Sequence, residues 1–262
     1  MTATRNQNTE SLFICTNVFI AVRSNPSHRS EMVNQVLFGE RFRIVESSGS
    51  WIKIETELDS YQGWIDGTHN GFKTFTETGE GIITGHTVAC FKEDGSPFLL
   101  APGSELFNMP GSLDSFSVGG NPFHLDKNEG EKLLPDNSIV ETGLKFLNSP
   151  YLWGGRTPWG IDCSGLVQVV YKIHGAALPR DASKQAENGQ MIEFIEQALP
   201  GDLLFFSGEG EGISHTGILV SPGNILHSSG TVKISTVDHQ GIWDADAGRY
   251  THRLRFIRRI EI

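Results

Sequence analysis

Of the three cysteines in this chain, Cys15, Cys90 and Cys163, only the third has neighbours that suit nucleophilic chemistry. Cys163 follows Asp162, a helix-capping residue type. It precedes Leu166, Val167, Val169, Val170 and Ile173 at helical spacing, and Gly175 is placed to end the run. The spacing predicts that Cys163 begins a helix, where free backbone N–H groups and the positive end of the helix dipole favour a thiolate. Thiols so placed can have pKa values lowered to roughly 3.5–7.5. The preceding Trp153-Gly154-Gly155-Arg156-Thr157-Pro158-Trp159-Gly160-Ile161 supplies glycines that let a substrate approach the backbone and tryptophans that can wall a cleft. Cys15 and Cys90 lie in the apolar runs Leu12-Phe13-Ile14-Cys15 and Val88-Ala89-Cys90-Phe91 and read as small core residues. Three widely spaced cysteines form neither a Cys-x-x-Cys metal pattern nor a disulfide framework.

A thiol nucleophile needs a proton acceptor, and histidine is the usual one. Among nine histidines, His215 stands inside the apolar strand Ile213-Ser214-His215-Thr216-Gly217-Ile218-Leu219-Val220, and His227 in the next, Ile225-Leu226-His227-Ser228. Between them lies the turn-forming Ser221-Pro222-Gly223-Asn224. A hairpin centred on Ser221 would set the two histidines directly opposite each other, on one face of the ladder. His227 would then orient His215 and leave its other ring nitrogen for Cys163. Taken alone, the pair reads equally as two strand histidines that straddle a turn. His28, His69, His86, His124, His239 and His252 sit among turn or polar residues and read as solvated, and His174 as a partly charged group at a helix C-terminus. A zinc site from Cys163, His215 and His227 would lack a second cysteine or a nearby acid pattern, so no metal is expected.

The elements that must position these groups differ along the chain. Val36-Leu37-Phe38, Phe42-Arg43-Ile44-Val45, Trp51-Ile52-Lys53-Ile54-Glu55 and Gly63-Trp64-Ile65 read as strands separated by turn residues, a small β-barrel. From about Thr76 to Pro135 the text is again β-like and rich in Gly, Ser and Asn. At Asp136 it changes. Ser138-Ile139-Val140-Glu141 has the form of a capping box, with Ile139, Val140, Gly143, Leu144 and Leu147 at helical spacing. After the Cys163 helix come strands at Asp202 to Phe206, Ile213 to Val220, Asn224 to His227, Val232 to Thr236 and Thr251 to Ile257. Helices followed by a meandering sheet describe an α+β domain. The 262 residues suffice for two or three compact units, and the net charge of −10 argues against nucleic acid or an anionic membrane surface as partner. No apolar run is long enough to span a membrane, and the polar Met1 to Glu10 has no apolar signal core, so a cytoplasmic location is expected.

Tyr151-x-Trp153-Gly154-Gly155, Asp162-Cys163-Ser164-Gly165-Leu166-Val167, Leu178-Pro179-Arg180, Pro200-Gly201-Asp202-Leu203, Ser214-His215-Thr216-Gly217-Ile218 and Ile225-Leu226-His227 occur in this order. Together they closely resemble the NlpC-type cell-wall cysteine peptidases, a papain-like family, from about Asp136 to the C-terminus. The resemblance implies Cys163 as nucleophile, His215 as base and His227 as the orienting third residue. It also implies a place for Tyr151 beside the nucleophile, where its hydroxyl would join the Cys163 N–H in meeting an oxyanion; from the residues alone Tyr151 reads as a core aromatic. Val22-Arg23, Pro26, Gly39-Glu40, Trp51-Ile52-Lys53-Ile54 and Tyr61-Gln62-Gly63-Trp64-Ile65 resemble a bacterial SH3-like domain. The expected architecture is thus α+β, a papain-like catalytic domain at 136–262 preceded by SH3-like barrels at 1–75 and, degenerate, at 76–135.

That domain order looks like the γ-D-glutamyl-L-diamino acid endopeptidases, which cut murein peptides bearing a free N-terminal L-Ala. The likeness implies a murein peptide as partner and no cofactor. It implies that Tyr61 of the first module, with Glu31 or Glu40, meets the substrate amine. Asp162, Ser164, Asp181 and Ser183 would be the contacts from the catalytic domain, although Asp162 reads equally as a helix cap, and Asp181 and Ser183 as surface residues. Two other readings use the same residues. One is an inactive wall-binding protein, against which the intact Cys163, His215 and His227 set argues; the other is an amidase or acyltransferase. The diamino acid and the oligomeric state have no signature in the sequence.

Overall fold

The computed structural model describes residues 11–77, 82–109, 115–126, 129, 133, 135–136, 138–208, 210–245 and 247–262; the polar stretch Met1 to Glu10 lies outside them. Antiparallel strands near the N-terminus form one seven-stranded sheet, in the order Met32–Leu37, Phe19–Arg23, Gln62–Asp66, Trp51–Thr56, Arg41–Ser48, Leu12–Cys15 and Phe72–Thr74. Alternation turns Val22, Val36, Phe42, Ile44, Ile54 and Ile65 into a shared core, which Cys15 joins at 0% exposure. Leu12–Cys15 and Phe72–Thr74 were not expected as strands. They are too short to show a period: pairing with Arg41–Ser48 decides the state of Leu12–Cys15, which in turn carries Phe72–Thr74 at the sheet edge.

A second antiparallel sheet orders Pro97–Leu100, Val88–Lys92, Asn121–Leu125 and Ser115–Val118, and Ile82–Ile83 pairs with Glu105–Leu106. Its core is not its own. Phe38, from the end of the first sheet's leading strand, packs edge-on to Phe123 at 5.2 Å and 89°, and Phe116 stacks on Phe123 at 5.1 Å. Ile14 and Phe38 complete the same cluster as Val88, Cys90, Leu100 and Leu106. Burying each such phenylalanine contributes about 1.5–3 kcal/mol, so this shared cluster holds the two sheets together.

The remainder is α+β. Helix α1 spans Ile139–Leu144, with the Ser138 side chain accepting the Glu141 N–H at 3.2 Å, half of the expected capping box. Helix α2 spans Cys163–Ile173 and α3 spans Ala182–Gln185. A sheet follows in the order Gln190–Ile192, Arg249–Arg259, Leu203–Ser207, Ile213–Ser221, Asn224–Ser229, Thr231–Val237, Gly241–Asp244, and the last strand pairs back onto Arg249–Arg259. That pairing closes the meander into a six-stranded barrel. Leu204, Phe206, Leu219, Ile225, Val237 and Ile242 fill its interior. Leu203, Phe205, Ile218 and Leu226 face outward onto α2. With apolar contacts on both faces, these strands read as continuous hydrophobic runs. The first sheet covers α2 from the other side through Leu37, and all eleven residues of the helix are buried. His174 caps its end with Nε2 2.8 Å from the Thr142 hydroxyl, and burial lowers its pKa. It is a neutral packing partner rather than the charged dipole partner expected. Among the described residues no helix is long and apolar enough to cross a membrane.

Candidate active site

Asp162 is the N-cap of α2, and its carboxylate accepts the Gly165 N–H and the Gly154 N–H, each at 2.7 Å. Cys163 is therefore the first helical residue, as its spacing predicts. It is also buried, at 7% exposure. Burial pushes its thiol up to about 12, and the neighbouring Asp162 carboxylate pushes the same way. The N–H groups of Thr216 and Ser164 and the Arg180 guanidinium oppose this, without reversing it. The lowered pKa expected from the helix start is thus overturned, because desolvation of a covered sulfur outweighs the partial charge of one helix end. In the free protein Cys163 is a neutral thiol.

His215 and His227 share a face of the barrel, but not as directly opposed residues. The ladder pairs Ile218 with Leu226 and Leu219 with Ile225, with an irregularity before Ser221–Asn224, so the hairpin is centred later than the sequence spacing implied. His227 falls opposite Gly217, and His215 lies diagonal to it. A Cβ on Gly217 would approach the His227 Cβ to 2.9 Å, so the missing side chain leaves the space through which the two rings meet. Their contact is His215 Nε2 to His227 Nδ1 at 2.8 Å, and His227 Nε2 lies 2.9 Å from the Ser235 hydroxyl. For His215 Nδ1 to accept a thiol proton, Nε2 must donate to His227, whose own Nε2 then donates to Ser235. Burial, then the nearby His227, His252 and Lys233, pull the His215 pKa well below its usual value; burial with His252 and Lys233 takes His227 to about 3. Both are neutral near pH 7.

His252 was expected to be solvated. Its ring instead stacks on His215, centroids 4.3 Å apart at 28°, because barrel closure carries the Arg249–Arg259 strand across the mouth. The stack covers one face of His215 and limits its rotation about the His227 bond.

The first module closes the cleft. Gly154 has φ +76°, and a Cβ there would meet the Met32 carbonyl oxygen at 2.4 Å, so the glycine allows the Met32–Leu37 strand to lie against the loop before Cys163. Buried Arg180 then links Asn34, through Nε at 3.0 Å, to Ser164, at 2.8 Å, and to both oxygens of Asp162. Glu40 accepts from Leu37 N–H, from both Arg156 amino groups at 2.7 and 2.8 Å, and from Lys172 at 2.7 Å. It is 3% exposed, with a pKa of about 2: burial pushes up, and the two cations more than compensate. Glu40 is thus a buried clamp, not a group free to meet an amine. Glu31 is exposed, and its charge is felt at Tyr61 together with Asp181, Arg180 and Asp59.

A cavity of about 140 Å³ is lined by Tyr61, Cys163, Ser164, Arg180 and Asp181, with Trp153 at its wall. Tyr151 is not among the residues lining this cavity and is 36% exposed; desolvation first, then the charges of Cys163 and Asp162, push its hydroxyl up to about 12, so it is a protonated donor.

The bacterial dipeptidyl-peptidase SH3 domain family matches residues 22–69, and the NlpC/P60 family matches residues 148–249. A γ-D-glutamyl-L-lysine dipeptidyl-peptidase of Bacillus subtilis is 31% identical over 224 residues, covering 76% of this chain and 73% of that one. The chain belongs to the NlpC/P60 family. A γ-D-glutamyl-L-lysine dipeptidyl-peptidase of Bacillus cereus is 28% identical over 229 residues, covering 77% of this chain and 68% of that one. The crystal structure of an NlpC/P60 family protein from Bacillus cereus superposes with a TM-score of 0.79 at 21% identity, over 95% of this chain and 99% of that one, and so shares its fold. This NlpC/P60 protein is therefore a peptidase with a papain-like fold and an N-terminal SH3 domain.

In this family member Tyr61, Asp162, Ser164 and Asp181 all line the Cys163 cavity. Ser183 does not. Helix α3 begins at Ala182, which turns Ala182 into the cavity and Ser183 out to solvent. Both Asp162 oxygens are held by Arg180 and backbone N–H groups, so its part is to fix the nucleophile's helix. Arg180, Arg156 and Lys172 carried no residue-level signal for their roles, because each is paired across more than one hundred residues or through a loop.

Proposed function

We propose that this chain is a cysteine endopeptidase that hydrolyses the γ-D-glutamyl-L-diamino acid bond of murein peptides with a free N-terminal L-Ala. The observation that carries the reading is the small cavity at Cys163, which Tyr61 of the first module lines together with the peptidase side chains, with the Glu31 and Asp181 carboxylates nearby. A small cavity walled at one end accepts the end of a peptide rather than its middle. The carboxylates suit an ammonium, and Glu31 is the acidic partner favoured. The relatives' names point to the same bond. We assign the peptidase domain to 136–262 and SH3-like units to 1–75 and 76–135.

In this mechanism the Cys163 sulfur attacks the γ-carbonyl carbon of D-Glu as its proton passes to His215 Nδ1. The carbonyl π pair moves onto oxygen, where the Cys163 N–H and the Tyr151 hydroxyl meet it. The C–N bond then breaks, its electrons staying on nitrogen, which takes the proton from His215. Water, deprotonated by His215, attacks the thioester; the C–S bond breaks and sulfur recovers the proton. Starting from a neutral thiol and a neutral imidazole, the ion pair arises only as the reaction proceeds. Acetylating the N-terminus of the substrate tests the reading: the free peptide should be cleaved and the acetylated one not. Equal kcat/KM on the two would refute the amine requirement.

A further inference from the structure

One end of the barrel carries a polar layer. His215 and His227 stand there with Ser235 of the next strand, and His252 stacks over His215. Beneath lie Phe206, Leu219, Ile225 and Ile242. Above opens a second cavity of about 400 Å³, lined by His227, Lys233, Ser235, Trp243, Thr251 and His252 among others, none of which lines the Cys163 cavity. Ser214, beside His215 in sequence, lines the Cys163 cavity, whereas His227 and His252, both in contact with His215, line the second. Lys233 is the direct cross-strand partner of His227, which puts their Cβ atoms about 4.5–5.5 Å apart on the same face.

Acyl transfer at Cys163 divides a substrate in two. The acyl part lies in the small cavity with Tyr61, and the leaving amine must reach His215 to take its proton. The rest of the leaving residue then extends past His215, away from Tyr61, toward the barrel mouth. When that residue is the last of the peptide, its α-carboxylate is two bonds from the reacting nitrogen. The cation directly across the ladder from His227 is the group placed to meet it. The Lys233 charge reaches this whole layer, lowering the affinity of His215, His227 and His252 for protons.

We propose that the barrel mouth is the subsite for the leaving amino acid and that Lys233 meets its free α-carboxylate. This rests on the peptidase reading above and adds to it a preference for peptides that end one residue after the cleaved bond. The test compares kcat/KM for L-Ala-γ-D-Glu-L-Lys and for the same peptide ending in a carboxamide. The native enzyme should favour the acid roughly 10- to 100-fold, the range of a charge-assisted hydrogen bond. Lys233→Met should collapse that ratio toward one, and Lys233→Arg should restore most of it. A ratio cancels any effect of the lost charge on His215 itself. In parallel, the Cys163→Ala protein should bind L-lysine more tightly than L-lysinamide by calorimetry, and Lys233→Met should remove the difference. Equal rates on acid and amide, or a preference that survives Lys233→Met, would overturn the subsite while leaving the peptidase reading intact. Lysine binding that depends on Lys233, with neither peptide cleaved by the native enzyme, would keep the subsite and overturn the peptidase reading.

Discussion

Replacing Glu40 by glutamine removes one negative charge from a buried cluster of Glu40, Arg156, Lys172 and Glu105, in which Lys172 also lies 2.9 Å from Glu105. The amide keeps the shape but leaves two buried cations facing one carboxylate. A Glu40 pKa moved from its ordinary 4.5 to about 2 corresponds, at about 1.4 kcal/mol per unit, to about 3 kcal/mol of folded-state preference for the charged form. Breaking a buried pair from one side costs about 3–5 kcal/mol in general. Because the folded pKa lies below the unfolded one, the contribution is fully present above pH 4.5 and is lost as pH falls through about 2. Urea unfolding followed by tryptophan fluorescence at pH 7 should therefore show Glu40→Gln less stable by about 3 kcal/mol. Lowering the pH from 4.5 toward 2 should narrow that gap. Activity should fall as well, since Glu40 anchors the module that carries Tyr61. A loss below about 1 kcal/mol, or a gap that does not change with pH, would refute the clamp.

Two further outcomes follow from the histidine layer and the covered thiol. His252→Ala should lower kcat about three- to tenfold with little change in KM, and His252→Phe, which keeps a stacking ring, should recover most of it; equal losses would count against the stack as a positioning device. Because burial raises the Cys163 pKa and lowers that of His215, inactivation by iodoacetamide should keep climbing as pH rises into the alkaline range. A plateau reached below pH 7 would indicate a resting thiolate–imidazolium pair instead.

Cys163 and its base were legible because local signals mark them: a capping aspartate, a helical apolar face, and histidines set in apolar strands. Their electrostatics were not. Whether a helix N-terminus is wet or covered depends on the Met32–Leu37 strand more than one hundred residues earlier, and cover reverses the expected shift of the thiol. The face shared by His215 and His227 was readable from their even separation, whereas the register depended on an irregularity near Val220 that no residue type announces. His252 escaped notice because its immediate neighbours, Thr251 and Arg253, are polar, and only barrel closure brings it to His215. Glu40 resembles any turn carboxylate until Arg156 and Lys172 converge on it. The direction of Ser183 had no signal in the sequence, because it is set by where the short α3 begins.

The most direct test of the central claim is mass spectrometry of L-Ala-γ-D-Glu-L-Lys after incubation with the native protein and with Cys163→Ala. The account predicts L-Ala-γ-D-Glu and free lysine from the native protein and intact tripeptide from the variant. Release of free alanine, or cleavage that persists without the Cys163 sulfur, would contradict it.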